Sequence, residues 1–274
     1  HDALPILNPQ QNSGAMFPRK YIRVAKLLQF ISHGLATRYA IRLFGTPLRH
    51  ERPERELAMM KSAQVSWIEV PEIKKRIKVF SYGFSKKKVL MVHGWSGRGT
   101  QLYRMADKLL ENGYMVISFD APAHGDSEGK TTLMIEFIYA VLTLQKSYGP
   151  FTAAIGHSLG GLTLLNAVSQ GLNLEKIITI GSGDSINYFL KELTDKLQLK
   201  PAIAKRMDRL FLKAFGSPLE NYSGSNAAKK VTIPVLIVHD KDDKEVPVSC
   251  AQSIRQNLLI GQLHMTSGLG HRRI

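Results

Sequence analysis

Ile155-Gly156-His157-Ser158-Leu159-Gly160-Gly161 joins a short apolar run, residues 151–155, to a helical one, residues 159–169. A serine at such a junction has a physical meaning. The turn from strand to helix is so tight that the serine is forced toward a strained backbone conformation. Gly156 and Gly160, two residues to either side, leave room for the chain to pass itself. Gly161 lets the helix start close to the neighbouring strand. The Ser158 hydroxyl is therefore expected at the carboxyl edge of a sheet, with the positive end of the following helix directed at whatever collects there.

Outward from this turn the pattern alternates strictly. Residues 89–92 read as a buried strand, 100–112 as a helix ended by Gly113, 115–119 as a strand and 131–147 as a helix. Further strands are expected at 177–180, 235–238 and 263–266, and 65–70 and 77–84 form a leading strand pair. This is the α/β class: a mostly parallel sheet with helices on both faces, binding ligands beyond the carboxyl ends of its strands. Residues 65–185 and 231–274 are assigned to this core. Residues 186–230 interrupt it with two helical stretches, 188–197 and 202–215, separated by Pro201. Phe189, Leu193, Leu210, Phe211 and Phe215 either line a pocket there or pack the insertion on itself; packing is the expectation for most of them.

Residues 16–64 form a basic leader, helical in pattern over 17–60. Tyr21, Val24, Ala25, Leu28, Ile31 and Leu35 fall near helical spacing with Lys20, Arg23 and Lys26 between them, and Gly45 and Pro47 break the run. Such a helix lies on an anionic membrane surface or covers part of the sheet; the second is the expectation. His1-Asp2-Ala3-Leu4-Pro5-Ile6 back-translates to a sequencing-adapter end. Residues 1–15 are accordingly read as an artefact or a disordered leader, with Met16 as the start. At the other end the chain stops at Ile274, where a further helix is expected.

The length of 274 residues suits one domain with a modest insertion. The net charge of +15 favours anionic partners, but no recognition motif or aromatic–basic interleaving points to nucleic acid. The lone Cys250 makes no internal disulfide, and a reducing, cytoplasmic location is expected, with membrane-peripheral attachment as a variant of it. No run is long and apolar enough to span a bilayer as a helix.

From the Ser158 turn outward, over residues 65–274, the chain resembles the α/β-hydrolase superfamily, and within it a bacterial group with a basic leader and a His-Gly-Trp loop. The resemblance implies an α/β-hydrolase fold with a small helical cap at 186–230, Ser158 as nucleophile at its elbow, and an acid and a histidine following in that order. In Asp240-Lys241-Asp242-Asp243-Lys244-Glu245-Val246-Pro247 the superfamily's acid stands three residues before the Val-Pro pair, which makes it Asp243. Asp240 and Asp242 compete with it and are otherwise read as a solvated acidic turn. Gly268-Leu269-Gly270-His271 resembles the loop of the catalytic histidine, which makes His271 the base, with His264 as the alternative. The oxyanion donors implied are the N–H of Leu159 and, in His93-Gly94-Trp95-Ser96-Gly97-Arg98-Gly99, the N–H of Trp95. That glycine-rich loop lacks the Gly-Lys-Ser/Thr ending of a phosphate loop. Asp120-Ala121-Pro122-Ala123-His124-Gly125-Asp126-Ser127 is similar to a loop that buttresses the site, with Ala123 where glycine is frequent.

The activity implied is hydrolysis of a carboxylic ester, with lipid esters and thioesters next, through an acyl-enzyme. No metal or organic cofactor is implied. A serine nucleophile argues against the superfamily's epoxide hydrolases and haloalkane dehalogenases, which use a carboxylate. Two other readings are a serine peptidase of the same superfamily and a peripheral membrane-binding protein that retains the fold.

Overall fold

The computed structural model describes residues 18–274; residues 1–15 and Met16 lie outside the described residues. The strands are β1 (Gln64–Val70), β2 (Lys75–Tyr82), β3 (Lys88–Val92), β4 (Met115–Phe119), β5 (Phe151–His157), β6 (Leu174–Ile180), β7 (Val235–Asp240) and β8 (Gly261–Thr266). The helices are α1 (Arg19–Ile31), α2 (His33–Phe44), α3 (Glu54–Ser62), α4 (Tyr103–Glu111), α5 (Met134–Tyr148), α6 (Leu159–Ser169), α7 (Ile186–Lys196), α8 (Pro201–Phe215), α9 (Gly224–Ala228), α10 (Val248–Asn257) and the single turn α11 (Gly270–Arg273). They form two compact units. One joins residues 18–48 to 185–223; the other joins 49–184 to 224–274.

The second unit is an eight-stranded sheet in the order β1-β2-β4-β3-β5-β6-β7-β8. β2 is antiparallel to β1 and β4; β4, β3, β5, β6, β7 and β8 run parallel. The central strand β3 is apolar from Val89 to Val92 and buried throughout, as a strand covered on both faces must be. The edge strand β1 exposes Val65 and Trp67. Helices cover both faces, and α6 buries Leu162, Leu164 and Leu165. The parallel strands end on one edge, where the loops after β3, β4, β5 and β7 lie.

In the first unit the helical run of the leader is split. Ser32 is extended (φ −162°, ψ 128°) and its Oγ accepts from Gly34 N at 3.1 Å, so it ends α1 and caps α2. α8 starts on Pro201 and stops at Gly216 in the left-handed region, the usual asymmetry of helix ends. Helices α7 and α8 pack on α2 and on each other. Phe211 stacks on Phe215 at 6.0 Å and meets Phe44 at 6.3 Å, so these rings pack within the unit. Phe211 and Leu193 are buried, whereas Leu210 is exposed. Helix α10 has no strong signature in the sequence. Only Ala251 and Ile254 of it are buried, too short a stripe to show as a period.

Candidate functional site

Ser158 stands between β5 and α6 with φ 53° and ψ −119°, a conformation that costs a non-glycine residue roughly 1–3 kcal/mol and persists only where the surroundings fix it. Its N–H donates to Ile180 O of β6 at 2.8 Å, and its carbonyl accepts from Gly161 N at 3.0 Å. A Cβ on Gly156 would lie 2.5 Å from the Gly160 backbone, and one on Gly160 would lie 2.1 Å from Val92 O. Both glycines are therefore demanded by close approach of backbone to backbone.

The side chain of Asp243, in the loop after β7, is wholly buried. Its Oδ1 accepts from Glu245 N and Val246 N at 2.8 Å each, and its Oδ2 accepts from His271 Nδ1 at 2.7 Å. Burial pushes the Asp243 carboxyl up, but the His271 bond, the Val246 N–H, the His271 charge and the Glu245 N–H outweigh it and hold it below the ordinary value. An ionised carboxylate only accepts, so His271 carries a proton on Nδ1, which leaves Nε2 as the ring nitrogen free of this partner. Gly181, at the end of β6, flanks this pair: a Cβ there would stand 3.2 Å from His271 Nδ1 and 3.5 Å from Asp243 Oδ2.

His157 ties the serine turn to the histidine. Its Nε2–H donates to His271 O at 2.9 Å, and the two rings lie 4.9 Å apart. Burial, then the charge of His271, lowers the His157 ring to about 4, so at neutral pH it is an uncharged donor. Nothing local in the sequence marks His157 for this tie. Among the described residues the Ser158 hydroxyl makes no hydrogen bond with the His271 ring.

The loop after β3 is stitched to the loop after β4 by two buried histidines. His93 donates from Nδ1 to Gly94 O at 2.7 Å and accepts at Nε2 from Ala121 N at 3.0 Å. His124 donates from Nδ1 to Pro122 O and accepts at Nε2 from Ser96 N, both at 3.0 Å. Burial lowers both rings, which suits a neutral ring that donates once and accepts once. This pins the backbone around Trp95, and a Cβ on Gly94 would lie 2.9 Å from Ser158 Cβ. No described residue accepts from the Trp95 N–H. Leu159 opens α6, so its N–H has no partner within the helix.

Asp120, fully buried, supports that loop. It accepts from Gly99 N at 2.7 Å, Asp126 N at 2.9 Å and Arg52 at 2.5 Å. Ala123, where glycine is frequent, has φ 65°, a left-handed position with a modest strain for alanine. Its carbonyl accepts from Arg49 Nε at 3.1 Å. Glu56, also buried, takes both Arg98 nitrogens and the Thr100 hydroxyl at 2.6–2.7 Å. Arg49, Arg52 and Glu56 escaped the sequence reading, which placed them in the basic leader. Their partners lie some 40 to 80 residues away, and nothing local marks them.

The reading of Asp240 as part of a solvated turn needs correction, whereas Asp242 is exposed as that reading expects. Asp240 is fully buried. It accepts from Thr266 Oγ1 at 2.7 Å, Asp242 N at 2.9 Å and Leu269 N at 3.1 Å, and from Gly270 N. Burial pushes its carboxyl up; these four donors outweigh that and hold it at about 2. Asp242 Oδ2 accepts from Gly268 N at 2.8 Å. The two carboxylates thus anchor the loop that carries His271. His264 is exposed in β8, opposite Val238, and has no part in this arrangement.

The family model described as alpha/beta hydrolase fold matches residues 87–233, more than half of the chain, and the chain belongs to that family. A lysophosphatidylserine lipase, ABHD12 of Danio rerio, is 26% identical over 187 residues. The match takes in 64% of this chain and 48% of that protein, so the chain spans about half the length of this curated relative. Among solved structures, an esterase from Pyrococcus furiosus superposes with a TM-score of 0.61 at 20% identity, over 84% of this chain and 90% of the other. An esterase from Exiguobacterium antarcticum gives 0.58 at 20% identity, over 76% and 92%. At such identities the likeness shows the fold.

Proposed function

We propose that the protein is a serine hydrolase acting on a carboxylic ester. Ser158 Oγ attacks the acyl carbonyl while His271 Nε2 takes its proton; Asp243 holds the Nδ1–H and favours the imidazolium that forms. The N–H groups of Trp95 and Leu159 receive the oxyanion, each worth up to roughly 3–4 kcal/mol in the transition state. His271 then protonates the departing alcohol, leaving an acyl group on Ser158. A water molecule, deprotonated by His271, attacks the acyl carbonyl, and the acid leaves as Ser158 regains its proton.

The observation that carries this reading is the 2.7 Å bond from His271 Nδ1 to the buried carboxylate of Asp243. It leaves one ring nitrogen as a base at the sheet edge that carries the strained Ser158 turn. The esterases of like fold favour an ester over an amide, and the similarity to a lysophosphatidylserine lipase favours lipid esters among esters. A fluorophosphonate probe is expected to label Ser158 in the folded protein, and Ser158→Ala to abolish both labelling and turnover on an ester panel of graded acyl length. Folded wild-type protein that resists the probe and leaves every ester intact would sink the mechanism.

A further inference from the structure

Helix α1 has two apolar sides. One, formed by Tyr21, Ile22 and Ala25, is buried. The other faces solvent: Phe30 is 90% exposed, Ile31 62%, Leu27 59% and Val24 41%. Helical spacing sorts the exposed side into two adjacent rows. Lys20, Val24, Leu27 and Ile31 form one, at i, i+4, i+7 and i+11. Arg19, Arg23, Lys26 and Phe30 form the other at the same intervals. An apolar ridge thus runs beside and beyond a column of cations, and Leu35, exposed in α2, lies just past its end.

The charge along this segment has one sign. Residues 18–48 contain Arg19, Lys20, Arg23, Lys26, Arg38 and Arg42 and no Asp or Glu. Among the described residues no carboxylate pairs with Arg19, Lys20, Arg23 or Lys26. We propose that α1 is a membrane-docking helix, lying in the interface of an anionic bilayer with Val24, Leu27, Phe30 and Ile31 among the acyl chains and its cations at the lipid phosphates.

Three observations favour lipid over a protein partner. The cations sit beside the apolar side chains rather than opposite them, so their aliphatic stems follow the ridge into the interface while their charges reach back to the headgroups. The segment itself carries no carboxylate, and none pairs with its α1 cations among the described residues, which suits anions at unspecified positions better than fixed salt-bridge partners. No helix among the described residues is long and apolar enough to cross a membrane, and α1, at 13 residues, is an in-plane helix. The proposal does not depend on the reading of Ser158.

Sedimentation of the full chain with vesicles tests it. The wild type is expected to pellet with phosphatidylcholine vesicles that contain phosphatidylserine, far less with pure phosphatidylcholine, and less as salt is raised. Arg23→Gln with Lys26→Gln should lower partitioning roughly 25-fold, since each cation at such a surface contributes about fivefold. Leu27→Ser, Phe30→Ser and Ile31→Ser together should abolish it, with far-UV circular dichroism and the melting curve showing that the fold is kept. In a Phe30→Trp variant the added emission should shift to the blue on phosphatidylserine vesicles. Wild-type protein that stays in the supernatant would overturn the proposal and leave the ridge to a protein partner. Equal binding to both kinds of vesicle, or binding that survives the triple serine change, would overturn it too.

Discussion

Two regions of this molecule treat charge in opposite ways. At the carboxyl edge of the sheet, Asp120, Asp240, Asp243 and Glu56 are buried, and each accepts at least three hydrogen bonds from named donors. In residues 18–48, six cations stand without a single carboxylate in the segment. A carboxylate taken out of water is tolerable only when its lone pairs are satisfied, and a satisfied one fixes the backbone that supplies the donors. Asp120 thereby holds the loop after β3, and Asp240 holds the loop that carries His271. A solvated cation fixes nothing, but its field stays available to a partner. The first arrangement is built for geometry and the second for attraction.

The largest effect expected from breaking the first arrangement falls on catalysis. Asp243→Asn keeps an acceptor for Glu245 N and Val246 N but turns the partner of His271 from an ionised acceptor into a neutral amide. On the serine-hydrolase reading the ring then loses its tautomer and its counter-charge, and kcat for a good ester should fall by roughly 10⁴ while the melting temperature changes little. A loss of less than tenfold would remove Asp243 from the role of orienting group.

Next comes stability. Asp120→Ala strands the N–H groups of Gly99 and Asp126 beside a wholly buried position and leaves the Arg52 guanidinium only Thr100 and the half-exposed Asp126 as partners. Removing one partner of such a buried pair costs roughly 3–5 kcal/mol, to be read from urea denaturation. An Asp120→Ala protein as stable as the wild type would show that the buried carboxylate network does not hold the loop after β3.

These networks also mark where the sequence stops being legible. The alternation of strands and helices, the Ser158 turn and the order of Ser158, Asp243 and His271 are written in local patterns: glycine spacing, apolar period and short motifs. The structure joins Asp243 to His271 by a direct bond and places Ser158 at the strained turn. Asp240 was misjudged because a cluster of aspartates next to lysines has the composition of a solvated turn. Its four donors come from residues 242, 266, 269 and 270, and only the pairing of β7 with β8 brings the last three near. Arg52 and Glu56 were lost for the same reason, since a charged residue in a basic helical stretch carries no mark of a buried partner far along the chain. In α1 the periodicity marks a helix, but it shows neither the break at Ser32 nor which of the two apolar sides is covered.

The smallest effect is the sharpest test of the contrast. Arg23→Gln with Lys26→Gln removes two exposed cations that no described carboxylate engages, so the folding free energy should move by no more than about 0.5 kcal/mol. Removing like charge from an all-basic segment should, if anything, stabilise it slightly. The same pair of changes is expected to cut vesicle partitioning roughly 25-fold. An unchanged denaturation curve together with lost vesicle binding would separate a charge kept for a partner from a charge kept for the fold. A loss of stability comparable to that of Asp120→Ala would show instead that these cations are structural, and the division between the two regions would fail.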